Sequence, residues 1–259
     1  MSDPSRANDT SAAAPGGREE ARKASAVVGV PEGAGETSAA AGGRPGSTRS
    51  ESLTATITVD FPEFLAPPAE PMPLLAAWLE AAAGHGVREP RALALATADT
   101  RGRTSSRIVA LTSVTDAGLG FATHADSQKG RELAGNPWAS GVLYWRETSQ
   151  QITVAGPVQR LSDAEAEAQW SARPVFTHAM TTASRQSRPV DDLDHLADLR
   201  SRALALGESQ RPLPRPPAYA VYRLAPAVVE FWANGTDRLH ERLRYDRTDQ
   251  GWRFSRLQP

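Results

Sequence analysis

The stretch ALALATADTRGRTSSRIVALTSVTDAGLGFAT, residues 92–123, decides the fold class. Ala92–Thr97 and Ser105–Ser113 have the composition of strands, and the segment DTRG between them is typical of a hairpin turn. A second turn, TDAG at 115–118, leads to a third strand at Leu119–Thr123. Strands joined by such short turns run antiparallel. This stretch therefore predicts an antiparallel sheet.

The rest of the chain continues this pattern, with helices inserted between strands. Further strands are predicted at Trp138–Trp145, Gln151–Ala155 with an extension at Val158–Leu161, Ala218–Leu224, Val228–Ala233, Arg242–Asp246 and Trp252–Leu257. Helices are predicted from Pro71 to Gly84, from the cap Ser127 to Leu133, from the capping box at Ser162 to Arg173, and through Leu193, Leu196, Leu199 and Leu204. Gly156-Pro157 predicts a bulge. The order favours a mainly β (α+β) antiparallel barrel with peripheral helices over a doubly wound parallel sheet.

Composition sets the organisation and excludes several functions. Residues 1–50 are rich in Ala, Gly and Ser and are predicted to be a disordered extension, which leaves 51–259 as one domain. A net charge of −1 argues against nucleic-acid binding, and no segment has the run of roughly 20 apolar residues that a membrane helix needs. The chain has no cysteine. These features are compatible with a cytoplasmic protein.

Familiar catalytic and metal-binding motifs are absent from the sequence. There is no Gly-rich phosphate fingerprint after a strand, no Walker loop, no GxSxG and no HExxH. The five histidines are scattered without metal-ligand spacing, so no metal site is predicted.

Two clusters of residues have the chemistry of an anion or planar-ligand site. The first is EFW at 230–232 followed by RLHER at 238–242, which combines an indole, an imidazole and two guanidiniums. If these residues form a strand, Arg238, His240 and Arg242 share one face. Taken alone, the cluster is equally typical of a solvated edge strand with ion pairs to Glu230 and Glu241.

The second cluster joins a strand to a helix start. Ser105-Ser106-Arg107 on the strand, and Ser127, Lys129 and Arg131 at the helix start, offer donors that suit a phosphate. Taken alone, Lys129 and Arg131 are more often surface residues.

These motifs, in this order, resemble the pyridoxamine 5′-phosphate oxidase family of FMN enzymes, from about Phe61 to Pro259. The most specific matches are RLHER after EFW, the terminal RLQP, Arg173-Pro174 and Gln186-Ser187. The resemblance implies a split β-barrel (FMN-binding split barrel) that forms a homodimer. It also implies shared active sites, with one FMN in each of two clefts between the subunits.

The resemblance also implies which residues hold FMN. Arg107, Ile108, Val109 and Thr112 would line the cofactor on one strand. The remaining implied contacts are Thr123 and Lys129 at the phosphate, Gln128 where the family usually has Arg, Gln151 at the ring, and Gln186, Ser187, Trp232 and Arg242 from the partner subunit.

On the substrate side the family pattern is only partly kept. Arg173, Arg238 and His240 match the residues that bind substrate, the last two being catalytic, and Thr177 replaces a Ser conservatively. Two further substrate positions depart from the family: Thr112 stands where a Lys belongs and Gln169 where a Tyr belongs. Losing that cation and that phenol removes charge-assisted hydrogen bonds worth about 1.5–3 kcal/mol each, so pyridoxine phosphate should bind poorly.

Other segments, such as REPRALALAT at 88–97 and LYWRET at 143–148, are similar to the phenazine-biosynthesis branch of the family. That similarity implies an oxidase for reduced phenazine carboxylates, which would pass a hydride to FMN N5, with O2 then yielding H2O2. Two alternatives stay open: a pyridoxamine or pyridoxine 5′-phosphate oxidase, and a flavin-binding split barrel without catalytic activity.

Overall fold

A computed structural model describes residues 56–234 and 239–259 of the chain. The predicted extension 1–50 and Arg238 lie outside the described residues, so those predictions are not tested.

Within the described residues there are nine strands, and each overlaps a segment that the sequence predicts as a strand. They are β1 Ala92–Ala98, β2 Thr104–Thr115, β3 Gly118–His124, β4 Trp138–Trp145, β5 Gln150–Arg160, β6 Tyr219–Leu224, β7 Val228–Ala233, β8 Glu241–Thr248 and β9 Gly251–Leu257. All of their pairings are antiparallel. The predicted antiparallel architecture is confirmed.

In the same described ranges, five helices accompany the strands. They are α1 Pro71–Gly84, α2 Gln128–Gly135, α3 Asp163–Ala172, α4 His178–Ala183 and α5 Leu193–Glu208, with 3-10 turns at Pro62–Phe64 and Val175–Thr177. Helix α1 begins with Pro71 and Pro73 in its first turn and buries one apolar stripe. Helix α3 begins at the predicted capping box, in which the Ser162 and Glu165 side chains each bond the other's backbone N–H. Helix α4 was not predicted, because its sequence HAMTTA carries no strong start or stop signal.

Six strands close into a barrel in the order β4-β1-β2-β3-β6-β5, since β4 also pairs with β5. Strands β7, β8 and β9 continue the sheet outward from β5. The sheet therefore has a closed part and an open extension, and the fold class expected from the sequence is confirmed.

The predicted bulge at Gly156-Pro157 is wrong. Strand β5 passes through both residues without a register shift and changes partners there, from β7 at Ala155 to β6 at Val158. A Cβ on Gly156 would lie 2.1 Å from the carbonyl oxygen of Ala225, so the glycine is needed for close strand approach. The sheet's irregularity lies instead in β2, between Leu111 and Ser113.

The main core lies between the barrel and α1. The Trp78 ring packs edge-on to Phe231, with ring centroids 5.1 Å apart, and to Phe61 at 4.8 Å. Full burial of each such side chain contributes about 1.5–3 kcal/mol. A second, smaller cluster joins Trp170 of α3 to Tyr219 and Val221 of β6. This second cluster fixes α3 against the outside of the barrel.

The predicted helix through Leu193 and Leu204 is confirmed, but both side chains are exposed, at 82% and 72%. Within the described residues, no helix combines the length and apolar character needed to cross a bilayer.

Candidate functional site

Helix α2 starts beside the end of β3 and brings a lysine into the protein. Ser127 caps the helix by accepting a hydrogen bond from the Gly130 backbone N–H at 3.3 Å. A Cβ on Gly130 would lie 2.3 Å from the carbonyl oxygen of Ala125, so only glycine allows this close packing of the first turn. The packed turn directs Lys129 inward.

Lys129 is buried, against the more usual surface position for a lysine. Its Nζ donates to Thr123 Oγ1 at 2.9 Å and to Gln186 Oε1 at 3.5 Å. Thr123 Oγ1 in turn donates to Gln186 Oε1 at 2.8 Å. Burial, followed by the nearby charge of Arg107, lowers the pKa of Lys129, while Glu132 opposes this shift. The result is a buried ammonium whose bonds go to neutral oxygens.

Arg107 lies near Lys129, and both of its Nη atoms donate hydrogen bonds. Its Nη1 donates to Thr97 Oγ1 at 2.5 Å and to the Leu95 carbonyl at 3.4 Å. Its Nη2 donates to Ser105 Oγ at 2.5 Å and to Glu132 Oε2 at 3.3 Å. Arg107, Ser105 and Lys129 therefore lie in one region, together with a carboxylate that no sequence motif indicated.

Glu132 is this additional residue, one helical turn after Lys129. It is buried and accepts hydrogen bonds from Thr97, from Ser105 and from Gln128. Burial opposes the charged carboxylate, but these bonds together with Arg107 outweigh it and hold the pKa of Glu132 below its ordinary value. Its i, i+3 spacing from Lys129 was the only signal of its role in the sequence.

Gln186 and Ser187 follow α4 in a tight turn. The resemblance implied that both come from the partner subunit, but Gln186 already contacts Thr123 and Lys129 of its own chain. Ser187 is exposed and adopts a left-handed backbone with φ of 64°. Such a conformation costs energy in a residue other than glycine.

The remaining residues predicted on the FMN strand point in different directions. Ile108 is exposed on the outer face of β2, and Val109 is buried in the core. Thr112 is exposed at the bulge of β2. Gln128 is exposed at the start of α2 and donates to Glu132 Oε1 at 3.0 Å.

A second group of predicted residues lies in one row on the outer face of the sheet. Gln151 pairs across strands with Trp232, and Trp232 pairs with Arg242. The His240 ring is 4.9 Å from the Trp232 ring, centroid to centroid. His240 lies directly before β8, which starts at Glu241, so it is near Trp232 without being part of the strand.

The alternative interpretation of this cluster as a solvated edge strand is wrong in one respect and confirmed in another. Strand β8 lies between β7 and β9, so it is not an edge. Arg242 does pair with Glu230, at 2.8 Å from Nε and 2.7 Å from Nη2, and it also donates to the Gln258 carbonyl at 3.0 Å. These bonds hold the guanidinium next to Trp232.

A third group surrounds Arg173, where α3 ends. The guanidinium carbon lies 5.3 Å from the centroids of both Trp170 and Tyr219, within cation–π range. Its Nη2 donates to Thr181 Oγ1 at 3.3 Å. Trp170 in turn stacks on His178 with centroids 4.1 Å apart. The Arg173 guanidinium thus packs against the rings of Trp170 and Tyr219.

Several polar atoms in this third group are buried without a hydrogen bond of good geometry to any described residue. They are Gln169 Oε1, Tyr219 Oη and both ring nitrogens of His124. Burial lowers the pKa of His124, with Lys129 and Arg173 adding to the shift and Asp126 opposing it. Burial also raises the pKa of Tyr219, which Arg173 opposes. Unpartnered buried polar atoms commonly mark a ligand or ordered water.

Thr177 lies one turn beyond Arg173, and its hydroxyl donates to the Pro174 carbonyl at 2.8 Å. Among the predicted substrate residues, Gln169, Arg173 and Thr177 lie in α3 and directly after it. Thr112 lies in β2, and His240 lies directly before β8. Among residues 56–234 and 239–259, no group of three potential metal ligands occurs.

This fold and these residues agree with the comparisons with known proteins. Residues 79–233 match the family described as pyridoxamine 5′-phosphate oxidase, and residues 219–259 match the pyridoxine 5′-phosphate oxidase C-terminal dimerisation region. The chain belongs to the pyridoxamine 5′-phosphate oxidase family. The dimerisation region agrees with the predicted homodimer.

Two similar relatives are dihydrophenazinedicarboxylate synthases. The one from Pseudomonas chlororaphis is 55% identical over 84% of this chain and 97% of its own, and that from Burkholderia lata is 49% identical over 82% and 99%. A pyridoxine/pyridoxamine 5′-phosphate oxidase of Paraburkholderia phytofirmans is 40% identical over 70% and 85%. The predicted similarity to the phenazine branch is confirmed.

A solved structure extends this likeness to the fold. PhzG of Burkholderia lata 383, in complex with tetrahydrophenazine-1-carboxylic acid, superposes with a TM-score of 0.75 at 48% identity, covering 80% of this chain and all of that one.

Proposed function

We propose that this protein is an FMN-dependent oxidase of phenazine biosynthesis that oxidises reduced phenazine carboxylates, with O2 as the final acceptor. The observation that carries the proposal is the buried Lys129, whose ammonium faces neutral oxygens of Thr123 and Gln186 beside a second cation, Arg107. The names of the two relatives and the ligand of the solved structure support the substrate class.

The residues present fit the phosphate of FMN. A buried ammonium without a carboxylate partner among the described residues is costly, and a phosphate is the natural counter-charge. Thr123, Ser127 and the first turn of α2 supply hydroxyl and N–H donors next to Lys129. We assign this pocket to the phosphate end of the cofactor.

The ring end of FMN fits the outer face of the sheet in a dimer. Gln151, Trp232 and Arg242 form a flat row there, and Ile108 of β2 and Tyr144 of β4 leave exposed apolar surface on the same sheet. Exposed apolar surface of this kind marks an interface. The proposal is that the row of one subunit covers the cofactor held at Lys129 of the other, which gives two shared active sites.

Arg173 and its surroundings fit a carboxylate better than a phosphate ester. The Arg173 fork can bind one carboxylate bidentately. Thr112 and Gln169 supply neither the extra cation nor the phenol that the family uses for a phosphate. A reduced tricyclic compound that carries a carboxylate is therefore the substrate class that we propose.

When bound, FMN would accept a hydride from the substrate at N5 and pass both electrons to O2, which becomes hydrogen peroxide. The protein's part is to orient the tricycle against the cofactor and to exclude water. We propose that His240 takes the proton that leaves the substrate; its ring lies next to Trp232, and its buried Nδ1 has no partner among the described residues, which supports this role. Arg238 is proposed to assist His240 in holding the substrate.

Anaerobic reduction of the purified protein tests the proposal. We expect a yellow dimer whose flavin absorption is bleached by a tetrahydrophenazine carboxylate and restored by O2, with one hydrogen peroxide formed per substrate. Pyridoxine 5′-phosphate at the same concentration should bleach it at least about tenfold more slowly, by the loss of one charge-assisted bond. Bleaching by pyridoxine 5′-phosphate alone would establish the vitamin B6 activity instead, and a flavin that neither compound reduces would indicate a binding protein.

A further inference from the structure

We infer that Glu132 is a positioning residue that acts through Arg107 to make the cofactor pocket select for a phosphate. The inference rests on the proposed function, in which the pocket at Lys129 and Arg107 receives the phosphate of FMN. The chemistry of the proposed reaction does not call for a buried carboxylate beside a phosphate, so its presence needs a reason.

The hydrogen bonds around Glu132 connect it to Arg107 in three ways. Arg107 Nη2 donates to Glu132 Oε2 directly, at 3.3 Å. The hydroxyl of Thr97 accepts from Arg107 Nη1 and donates to Glu132 Oε2, and the hydroxyl of Ser105 accepts from Arg107 Nη2 and donates to both Glu132 oxygens at 2.7 and 2.9 Å. Each hydroxyl therefore bridges the guanidinium to the carboxylate.

These bridges leave Arg107 with one orientation. Its four Nη–H donors are directed to Thr97, Leu95, Ser105 and Glu132, and no bond to its Nε is formed by a described residue. A carboxylate is required at position 132, because the hydroxyls of Thr97 and Ser105 both donate to it while they accept from Arg107. An amide in its place would direct its own N–H groups at donors and disrupt the arrangement.

Glu132 forms its ion pair with Arg107, at 3.3 Å from Nη2, and within the described residues it forms none with Lys129. Lys129 Nζ donates instead to Thr123 and Gln186. The carboxylate thus offsets the repulsion between two neighbouring cations without occupying the lysine that faces the ligand.

Positioning and simple electrostatics predict opposite results when the charge of Glu132 is removed. If Glu132 merely adds negative potential to the pocket, its loss strengthens phosphate binding. If it positions Arg107, its loss weakens phosphate binding and leaves the ring end unaffected. Comparing FMN with riboflavin, which lacks the phosphate, separates the two.

The experiment titrates the full-length protein with FMN and with riboflavin, following the quenching of flavin fluorescence. We expect Glu132→Gln to weaken FMN at least tenfold and riboflavin less than twofold. In an Arg107→Ala background, Glu132→Gln should add less than a twofold change, because its effect passes through Arg107. The control Glu80→Gln makes the same substitution on the exposed side of α1 and should change neither affinity.

Three results would overturn the inference while leaving the proposed function intact. They are unchanged or tighter FMN binding by Glu132→Gln, an equal loss for FMN and riboflavin, and a full additional loss in the Arg107→Ala background. A wild-type protein that binds neither flavin would overturn the proposed function as well.

Glu132→Gln removes a buried charge partner and can impair folding, so a milder variant accompanies it. Ser105→Ala removes one bridge and keeps every charge. Its expected effect is an FMN-selective loss of about threefold, with a thermal midpoint close to wild type. Equal FMN affinity in a folded Ser105→Ala protein would count against the inference by itself.

Discussion

The two polar regions next to the barrel differ in how completely the chain satisfies them. Around Lys129 and Arg107, the cations are bonded to oxygens of Thr123, Glu132 and Gln186. Around Arg173, buried atoms of neighbouring side chains stay without a good partner among the described residues. The first region is organised before any ligand arrives, and the second has hydrogen-bonding capacity left for one.

This difference fits the two roles that we propose. A cofactor that stays bound benefits from a rigid, preorganised pocket, because less ordering is required on binding. A substrate must enter and leave at every turnover, so a binding site with free hydrogen-bond donors and acceptors suits a substrate better than it suits a permanently bound cofactor. Variants in the first region should therefore affect mainly FMN, and variants in the second mainly the substrate.

The largest effect is expected for Lys129→Ala in the first region. It should weaken FMN binding about 100-fold, because a charge-assisted hydrogen bond at a buried site is worth roughly 1.5–3 kcal/mol. The fold should tolerate the change, since burial already disfavours the charge and lowers the pKa of Lys129. Arg131→Ala is the control: this exposed arginine on the same helix donates to the Asp126 carbonyl and should not matter. Flavin fluorescence titration measures both, and equal losses in the two variants would contradict the assignment.

An intermediate effect is expected for Arg173→Lys in the second region. The variant keeps the charge but loses the planar fork and its contact with the Trp170 and Tyr219 rings. We expect kcat/KM for a reduced phenazine carboxylate to fall about tenfold, roughly 1.4 kcal/mol, mainly through KM. FMN affinity should stay within twofold of wild type. A loss of FMN affinity as large as the loss in kcat/KM would remove the distinction between the regions.

The smallest effect is expected for Tyr219→Phe, which removes a buried hydroxyl that lacks a hydrogen bond of good geometry to any described residue. Stability should stay the same or rise by about 1 kcal/mol, because a buried polar atom without a partner is costly. KM should rise about threefold, because the substrate would lose a donor beside Arg173. Thermal unfolding and steady-state kinetics measure the two quantities. A less stable protein with unchanged KM would show that the hydroxyl serves the fold alone.

Local chemistry made most of the fold predictable. The turn DTRG, the capping box at Ser162 and the apolar stripe of α1 each lie within a few residues of the element they define. Strands β4 and β7 have their predicted bounds for the same reason. The prediction of a bulge at Gly156 was wrong because this glycine is needed for close contact with the carbonyl of Ala225. Ala225 lies on another segment, so no local sequence pattern indicates the contact.

The sequence alone determined the family, the antiparallel sheet and the identity of Lys129, Arg173 and Trp232 as residues of interest, since motifs and periodicity are written in neighbouring positions. Only the tertiary structure decided that Lys129 is buried, that Glu132 holds Arg107 through Thr97 and Ser105, and that Tyr219 lies under Arg173. These contacts join residues up to about 45 positions apart, and their strength depends on burial and distance, which arise only when the barrel closes.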